Sequence, residues 1–214
     1  DRWVQQIVPV LDAQIDALAG TPSVQIMDPR DDAVRVGANE FEIGYLAAEH
    51  LISLGHRKIG WVMHNLKLPQ RRLAGSLMAL REAGVSHDDA HVRGLEFDSD
   101  FVAGGRRSIE RWLRESSGKL NCTALIAQND MVAIGAIQAL REYGIRVPED
   151  MSVVGVDATR AGECSTPTLT TVSIPFEEIG ADSVHMLIAM INGQSYSPRC
   201  ARLWSPSLKI GGST

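Results

Sequence analysis

The sequence has little cysteine and lacks the residue patterns of metal sites and nucleotide-binding loops. Its three cysteines, Cys122, Cys164 and Cys200, are far apart, so they fit neither a disulfide framework nor metal ligation. They predict buried, reduced thiols in a cytosolic protein. Gly-rich phosphate loops, the G-x-S-x-G elbow and clustered metal-ligand residues are absent from the sequence. The sequence therefore does not support an enzyme, and we expect no cofactor and no metal.

Positive charge and long apolar runs are also scarce. The formal net charge of −5 and the pI of 5.7 argue against this chain itself holding a nucleic-acid backbone, which needs concentrated Lys and Arg. No apolar run approaches the roughly 18 residues of a membrane span. The length of 214 residues allows one large domain or two smaller lobes.

Short apolar runs alternate with amphipathic helical patterns along the chain. Unbroken apolar runs predict buried parallel strands at residues 59–63, 124–127 and 153–156. Helices are predicted over residues 45–54, 71–83, 103–115 and 176–191, and between the second and third apolar runs. Other predicted strands are 24–27, 34–36, 91–97, 169–174, 201–204 and 207–210, with a strand–helix pair over 4–18. This alternation predicts an α/β fold with parallel sheets.

Polar side chains come after each of the three apolar runs. Arg72 follows the first run through a loop, Asn129 and Asp130 follow the second, and Asp157 follows the third. Because ligands bind at the carboxyl ends of parallel strands, we expect these groups to meet in one crevice. A carboxylate beside a carboxamide and a guanidinium suits a ligand rich in hydroxyls, which both donate and accept hydrogen bonds, better than a bare anion.

Simpler roles remain open for the same residues. Arg72 could be a solvated surface residue or form an ion pair with Asp or Glu, Asn129 or Asp130 could cap the helix that follows, and Asp157 could hold a turn. Four aromatic residues have two possible roles as well, because each could pack in the core or form the wall of a pocket. They are Trp61, Phe97, Phe101 and Phe176.

Several segments carry a more specific signal in their order along the chain. They are YLAAEHLISLGHRKIGW at 45–61, RLAG at 72–75, TALIAQNDMVAIG at 123–135, VPEDMSVVGVD at 147–157, TPTLTTVSIPFEEIG at 166–180 and SLKIGGST at 207–214. Together they resemble the effector-binding core of the lactose-repressor (LacI) family of bacterial transcription regulators. The resemblance covers about residues 23–214.

The resemblance implies two similar parallel-sheet lobes of the type I periplasmic-binding-protein-like fold, joined by three crossovers, with an effector between them. Residues 1–57 and 175–198 would form the first lobe, and residues 58–174 and 199–214 the second. The helix-turn-helix DNA-binding domain and the first two βα units of the first lobe would be absent from this chain, leaving that lobe incomplete at its N-terminus.

The same resemblance implies a function and a set of contacts. The chain would bind a sugar-like effector and belong to a cytoplasmic, homodimeric regulator. That regulator would contact operator DNA only through its helix-turn-helix domain and would not bind a membrane. Arg72, Asn129 and Asp157 match sugar-contacting positions, and Phe176 matches an aromatic or apolar pocket position. We keep Asp130 as a further candidate ligand contact. The alternative is an extracytoplasmic sugar-binding protein of a transport system, which shares the lobes and the ligand position.

This sequence departs from the family pattern at two places. The usual Asp-Asn after a first-lobe strand is Ala38-Asn39, which removes one polar group that could contact a ligand. The usual arginine near the carboxyl terminus is Gly211. The sequences of residues 147–157 and 166–180 nevertheless favour the regulator over the transport protein.

Overall fold

The computed structural model describes residues 20–27, 33–64, 67–86, 92–95, 100–197 and 199–214. Strands and helices alternate through these residues. In chain order they are β1 Gln25–Ile26, β2 Arg35–Ala38, α1 Glu40–Ser53, β3 Ile59–Met63, α2 Lys67–Glu82, β4 Val92–Gly94, α3 Phe101–Glu115, β5 Ala124–Ala127, α4 Asp130–Glu142, β6 Ser152–Val156, α5 Arg160–Glu163, β7 Thr170–Ser173, α6 Phe176–Ile191, β8 Ala201–Trp204 and β9 Ser207–Lys209. The strand–helix pair predicted over residues 4–18 lies outside the described residues.

The elements predicted within the described residues are present, and several of them begin or end at other residues than predicted. β3, β5, α6 and β8 have the predicted bounds. Helix α1 begins at Glu40 rather than at residue 45, because the Asn39 side chain accepts a hydrogen bond from the backbone N–H of Glu42 at 3.3 Å and caps the helix. This earlier start brings Glu40 into the first turn of a helix, which matters for the site below.

The chain separates into two units, each with its own sheet. The first unit contains the described residues up to Ala38 together with Pro175–Trp204. Its three strands run in the order β1-β2-β8 and are all parallel, and α6 packs against β1 and β2. The second unit contains Asn39–Ile174 and Ser205–Thr214.

Two assignments to the lobes need correction. Helix α1, expected in the first lobe, belongs to the second unit because it packs along α2. Strand β8, expected in the second lobe, belongs to the first unit because it pairs with β2, with Arg35 opposite Ala201. The sequence of a strand does not identify the distant strand with which it pairs, so the partner of residues 201–204 could not be predicted from these residues.

The second unit is built on a six-stranded sheet in the order β4-β3-β5-β6-β7-β9. All neighbours are parallel except β9, which runs antiparallel to β7. Side chains alternate between the two faces of a strand. In β5, Leu125 faces the core formed with α3 and α4, whereas Ile126 faces the side covered by α1 and α2. The sheet is thus covered on both faces, which explains its unbroken apolar runs.

Glycines allow the helix pair α1–α2 to pack backbone against backbone. A Cβ atom on Gly44 would lie 1.7 Å from the carbonyl oxygen of Arg72, and one on Gly75 would lie 1.9 Å from that of Phe41. No side chain fits at such distances. The close packing places the N-terminal turn of α1 beside Arg72 on α2.

Candidate functional site

The carboxyl ends of three neighbouring strands form one edge of the six-stranded sheet. β3, β5 and β6 are adjacent and parallel, so their carboxyl ends point the same way. The segments that leave these ends carry Arg72, Asn129 and Asp157. The structure therefore brings the three groups that the sequence singled out to one edge of the second unit.

Arg72 lies on the second turn of α2 with a largely buried side chain, 16% exposed. Its Nε donates a hydrogen bond to the carboxylate of Glu40, and its Nη1 donates to the backbone carbonyl of Gln128 at 2.5 Å. Arg72 therefore forms an ion pair with an acid, as the simpler alternative held, but the pair is largely buried rather than solvated. A guanidinium has further N–H donors beyond these two, and they are available to a ligand.

Glu40 is a buried acidic residue at this edge that sequence reasoning missed. It is the first residue of α1, and its side chain is only 4% exposed. One carboxylate oxygen, Oε2, accepts from Arg72, while Oε1 is buried and has no hydrogen-bond partner among the described residues. The acidic residue after Asn39 was visible in the sequence. Its pairing with an arginine 32 positions later depends on how α1 packs on α2.

Asn129 caps α4 and keeps a donor free for a ligand. Its Oδ1 accepts a hydrogen bond from the backbone N–H of Val132 at 2.9 Å. In the described part of the chain, the NH₂ group of the same side chain has no partner. The neighbouring Gln128 accepts from the backbone N–H of His64 at 2.7 Å and so ties the end of β5 to the end of β3. The cap and a ligand contact are therefore compatible at Asn129.

Asp157 lies in a backbone conformation that side-chain-bearing residues rarely adopt. Its φ is 107°, and the φ of Ala158 is 55°. Such conformations cost about 1–3 kcal/mol each and persist where the surroundings impose them. Here the N–H of Asp157 donates to the carbonyl of Val172 at 2.9 Å, and the N–H of Ala158 donates to Oγ1 of Thr171 at 3.2 Å. Strand β7 thus holds the turn that presents Asp157.

The charges around Asp157 are unbalanced. Burial raises the pKa of Asp157 from 3.8 to about 7; the positive charge of Arg72 opposes this rise, and the negative charges of Asp130 and Glu40 add to it. Near neutral pH this carboxyl is therefore partly protonated and able to donate as well as accept a hydrogen bond.

Asp130 is enclosed by hydrogen-bond donors of the protein, and its contact with a ligand stays a prediction. It is fully buried, and its two oxygens accept three hydrogen bonds. Oδ2 accepts from the N–H and the hydroxyl of Thr159 at 2.6 and 2.9 Å, and Oδ1 accepts from the hydroxyl of Thr171 at 2.6 Å. A Cβ atom on Gly155 would lie 2.4 Å from Oδ1, so the carboxylate is closely enclosed. Asp130 is a positioning residue that fastens the turn containing Asp157.

The aromatic candidates divide between core and surface. Trp61 is 2% exposed and belongs to the core, while its indole N–H is buried without a hydrogen-bond partner among the described residues. Phe101 begins α3 and is 38% exposed. Phe97 lies outside the described residues. Phe176 begins α6 in the first unit and is 49% exposed, and its contact with a ligand remains a prediction.

A narrow apolar crevice adjoins Arg72 between α1, α2 and the sheet. Trp61, Met63 and Leu73 are among its lining residues, and its free space holds about one water molecule. The crevice is too small for an effector.

Other features of the described residues bear on the remaining expectations. Within the described ranges, no group of three or more His, Cys, Asp or Glu side chains could hold a metal ion. Over the same residues, no helix is long and apolar enough to cross a membrane. Cys122 is buried as expected, and burial raises the pKa of its thiol to about 12, but Cys164 is exposed.

A family match and the sequence relatives of this chain agree with each other. Residues 48–214 match the periplasmic binding protein-like domain. The ribose operon repressor of Haemophilus influenzae is 35% identical over 158 residues, covering 73% of this chain and 46% of that protein. The transcriptional repressor PurR of Aliivibrio salmonicida is 33% identical over 193 residues, covering 87% of this chain and 56% of that protein. The chain thus spans about half the length of these relatives.

Solved structures agree with the sequence relatives. A LacI-family transcriptional regulator from Enterococcus faecium with bound ribose superposes with a TM-score of 0.81 at 26% identity. The match covers 95% of this chain and 75% of that one. The fold, the family match and the repressor relatives point to the same group. The chain belongs to the periplasmic-binding-protein-like domain family and, within it, to the ligand-binding domains of LacI-family transcriptional regulators.

Proposed function

We propose that this chain senses a sugar or sugar derivative and thereby modulates the binding of operator DNA by the regulator to which it belongs. The observation that carries the proposal is the convergence of Arg72, Asn129 and Asp157 at the carboxyl edge of three adjacent strands. The ribose carried by the Enterococcus faecium regulator supports the same ligand class.

The chemistry of the three groups suits a polyhydroxylated ligand. Arg72 offers N–H donors, the NH₂ of Asn129 is a donor, and Asp157 can accept or, when protonated, also donate. A sugar hydroxyl both donates and accepts, so neighbouring hydroxyls can satisfy all three groups. Phe176 remains a proposed apolar contact, carried by the family resemblance.

The regulatory part of the proposal follows from linkage. An effector changes DNA affinity only if it binds two arrangements of the protein with different affinity, and the coupling is then reciprocal. DNA contact is assigned to a helix-turn-helix domain outside this chain, and we expect the regulator to act as a cytoplasmic homodimer. The alternative of an extracytoplasmic transport protein has the same fold, but the relatives at 33–35% identity are named as repressors.

Isothermal titration calorimetry of this chain with a panel of sugars and nucleosides tests the proposal. The sharpest variant is Arg72→Lys, because lysine keeps the charge that compensates Glu40 and loses the planar fork that can bond two ligand oxygens. The matched control is Arg146→Lys, since Arg146 makes a forked ion pair with Asp150 at the surface, through two hydrogen bonds of 2.7 Å.

We expect a member of the panel to bind, Arg72→Lys to weaken that binding by roughly tenfold or more, and Arg146→Lys to leave it unchanged. Phe176→Ala, measured in the same series, tests the apolar contact. If no compound binds, or if Arg72→Lys binds as tightly as the wild type, the assignment of the site is wrong.

A further inference from the structure

The buried carboxylate of Glu40 accepts a hydrogen bond from Nε of Arg72, a donor that an anionic ligand could otherwise use. We propose that Glu40 is a specificity-determining residue that restricts the site to uncharged polyhydroxylated ligands and excludes their phosphorylated forms. The inference rests on the proposed function, since it concerns the same site, and it names which chemical class of sugar the site accepts.

The first argument is the charge balance. The guanidinium of Arg72 is already paired with Glu40 through Nε, and both side chains are largely removed from solvent, at 16% and 4% exposure. Asp157 and Asp130 add further negative charge nearby. Among the described groups that shift the pKa of Asp157, one is a cation, Arg72, and two are carboxylates, Asp130 and Glu40. A phosphate group placed beside Arg72 would meet a guanidinium already paired with Glu40, and like charges repel strongly where water is excluded.

The second argument is the hydrogen-bonding capacity of Glu40. Its Oε1 is buried, and the described part of the chain supplies no donor to it. A buried acceptor without a donor is unfavourable, and an ionised carboxylate can only accept. A hydroxyl placed next to this carboxylate carries a proton to donate, whereas the oxygens of a phosphate dianion at the same place carry none. Charge and hydrogen bonding thus select the same ligand class.

The identity of the residue decides this selection, because glutamine at the same position would reverse it. Glu40→Gln keeps an oxygen that can accept from Nε of Arg72, so the buried guanidinium stays hydrogen-bonded. It removes one negative charge from the side chain and places a donor beside the ligand. The guanidinium then becomes available as a cation for a phosphate group.

The test compares neutral and phosphorylated partners of one sugar by calorimetry at pH 8. The probes are D-ribose, D-glucose, D-galactose and D-fructose, each with its monophosphate. The proteins are the wild type, Glu40→Gln and the matched control Glu42→Gln, which removes the same charge from the same helical turn without contacting Arg72. Circular dichroism confirms that each variant is folded.

We expect the wild type to bind a neutral sugar at least about tenfold more tightly than its monophosphate, which corresponds to about 1.4 kcal/mol. Glu40→Gln should shift this ratio by tenfold or more toward the monophosphate, and Glu42→Gln should leave it unchanged. If Glu40→Gln does not fold, the wild-type ratio decides, since equal or tighter binding of the monophosphate overturns the inference.

The two proposals fail in different ways. If none of the eight compounds binds the wild type or Glu40→Gln, this inference falls, and the proposed function falls as well only if the wider panel of sugars and nucleosides also yields no ligand. If a sugar binds but the ratio is the same in wild type and Glu40→Gln, or if Glu42→Gln shifts it equally, the proposed function stands and the role of Glu40 is refuted.

Discussion

Replacing Asp157 with asparagine should stabilise the folded chain above neutral pH while weakening effector binding. Asparagine is among the residues that tolerate positive φ, so the turn with φ 107° at this position is retained. The pKa of Asp157 is about 7 in the folded chain, compared with 3.8 as the ordinary value. Because the pKa is raised on folding, the stability associated with the protonated form is fully present below about pH 4 and is lost as the pH rises through 7.

The size of the effect follows from the two pKa values. Raising the pKa from 3.8 to about 7 corresponds to up to about 4 kcal/mol of destabilisation once the carboxyl is ionised in both states. The variant cannot ionise and avoids this loss. The difference in unfolding free energy, Asp157→Asn minus wild type, should grow by up to about 1.4 kcal/mol per pH unit between pH 5 and 7 and then level off.

Urea unfolding followed by circular dichroism at pH 5, 6, 7 and 8 measures this difference directly. Subtracting the wild type removes the titration of all other groups. Asp150→Asn is the matched control, because the hydrogen bond from Arg146 lowers the pKa of Asp150 to about 2, so this group is ionised throughout the range. Its difference from the wild type should be constant. A constant difference for Asp157→Asn as well would refute the argument that burial and neighbouring carboxylates raise this pKa.

Three further predictions concern stability and are measured by urea unfolding at pH 7. Asp130→Ala removes the three hydrogen bonds of a fully buried carboxylate and should lower the unfolding free energy by about 3–5 kcal/mol, with a smaller loss for Asp130→Asn, and an unchanged midpoint would contradict the positioning role. Gly44→Ala forces a Cβ atom to 1.7 Å from a backbone oxygen and should destabilise by about 3 kcal/mol or more, whereas Gly180→Ala, in a helix with open space around it, should stabilise by about 0.5–1 kcal/mol. Arg72→Ala leaves the buried carboxylate of Glu40 unpaired and should cost about 3–5 kcal/mol, and a loss below about 1 kcal/mol would show that the pair is effectively solvated.

The parts of the site that could be predicted are those whose position follows from the carboxyl ends of parallel strands. Arg72, Asn129 and Asp157 each come after an apolar run, and parallel strands bring such positions to one edge whatever their separation in the chain. Helix α6 and strands β3 and β5 were predicted with their observed bounds, because their periodicity and the residues that end them are local.

The parts that could not be predicted depend on contacts between distant segments. The sequence could not distinguish Asp130 as a ligand contact from Asp130 as a buried anchor, because the donors that occupy it come from Thr159 and Thr171. The role of Glu40 was also invisible, since it requires α1 and α2 to pack as closely as Gly44 and Gly75 allow.

The sequence by itself determined the α/β alternation, the family and the strand ends at which polar groups gather, because each is encoded in local periodicity or in family-specific sequence motifs. Only the tertiary structure decided which carboxylate pairs with Arg72, which one is sequestered by threonines, and which one is left with a raised pKa. The physical reason is that burial and the distance between charges set these properties, and both arise from how the segments pack together.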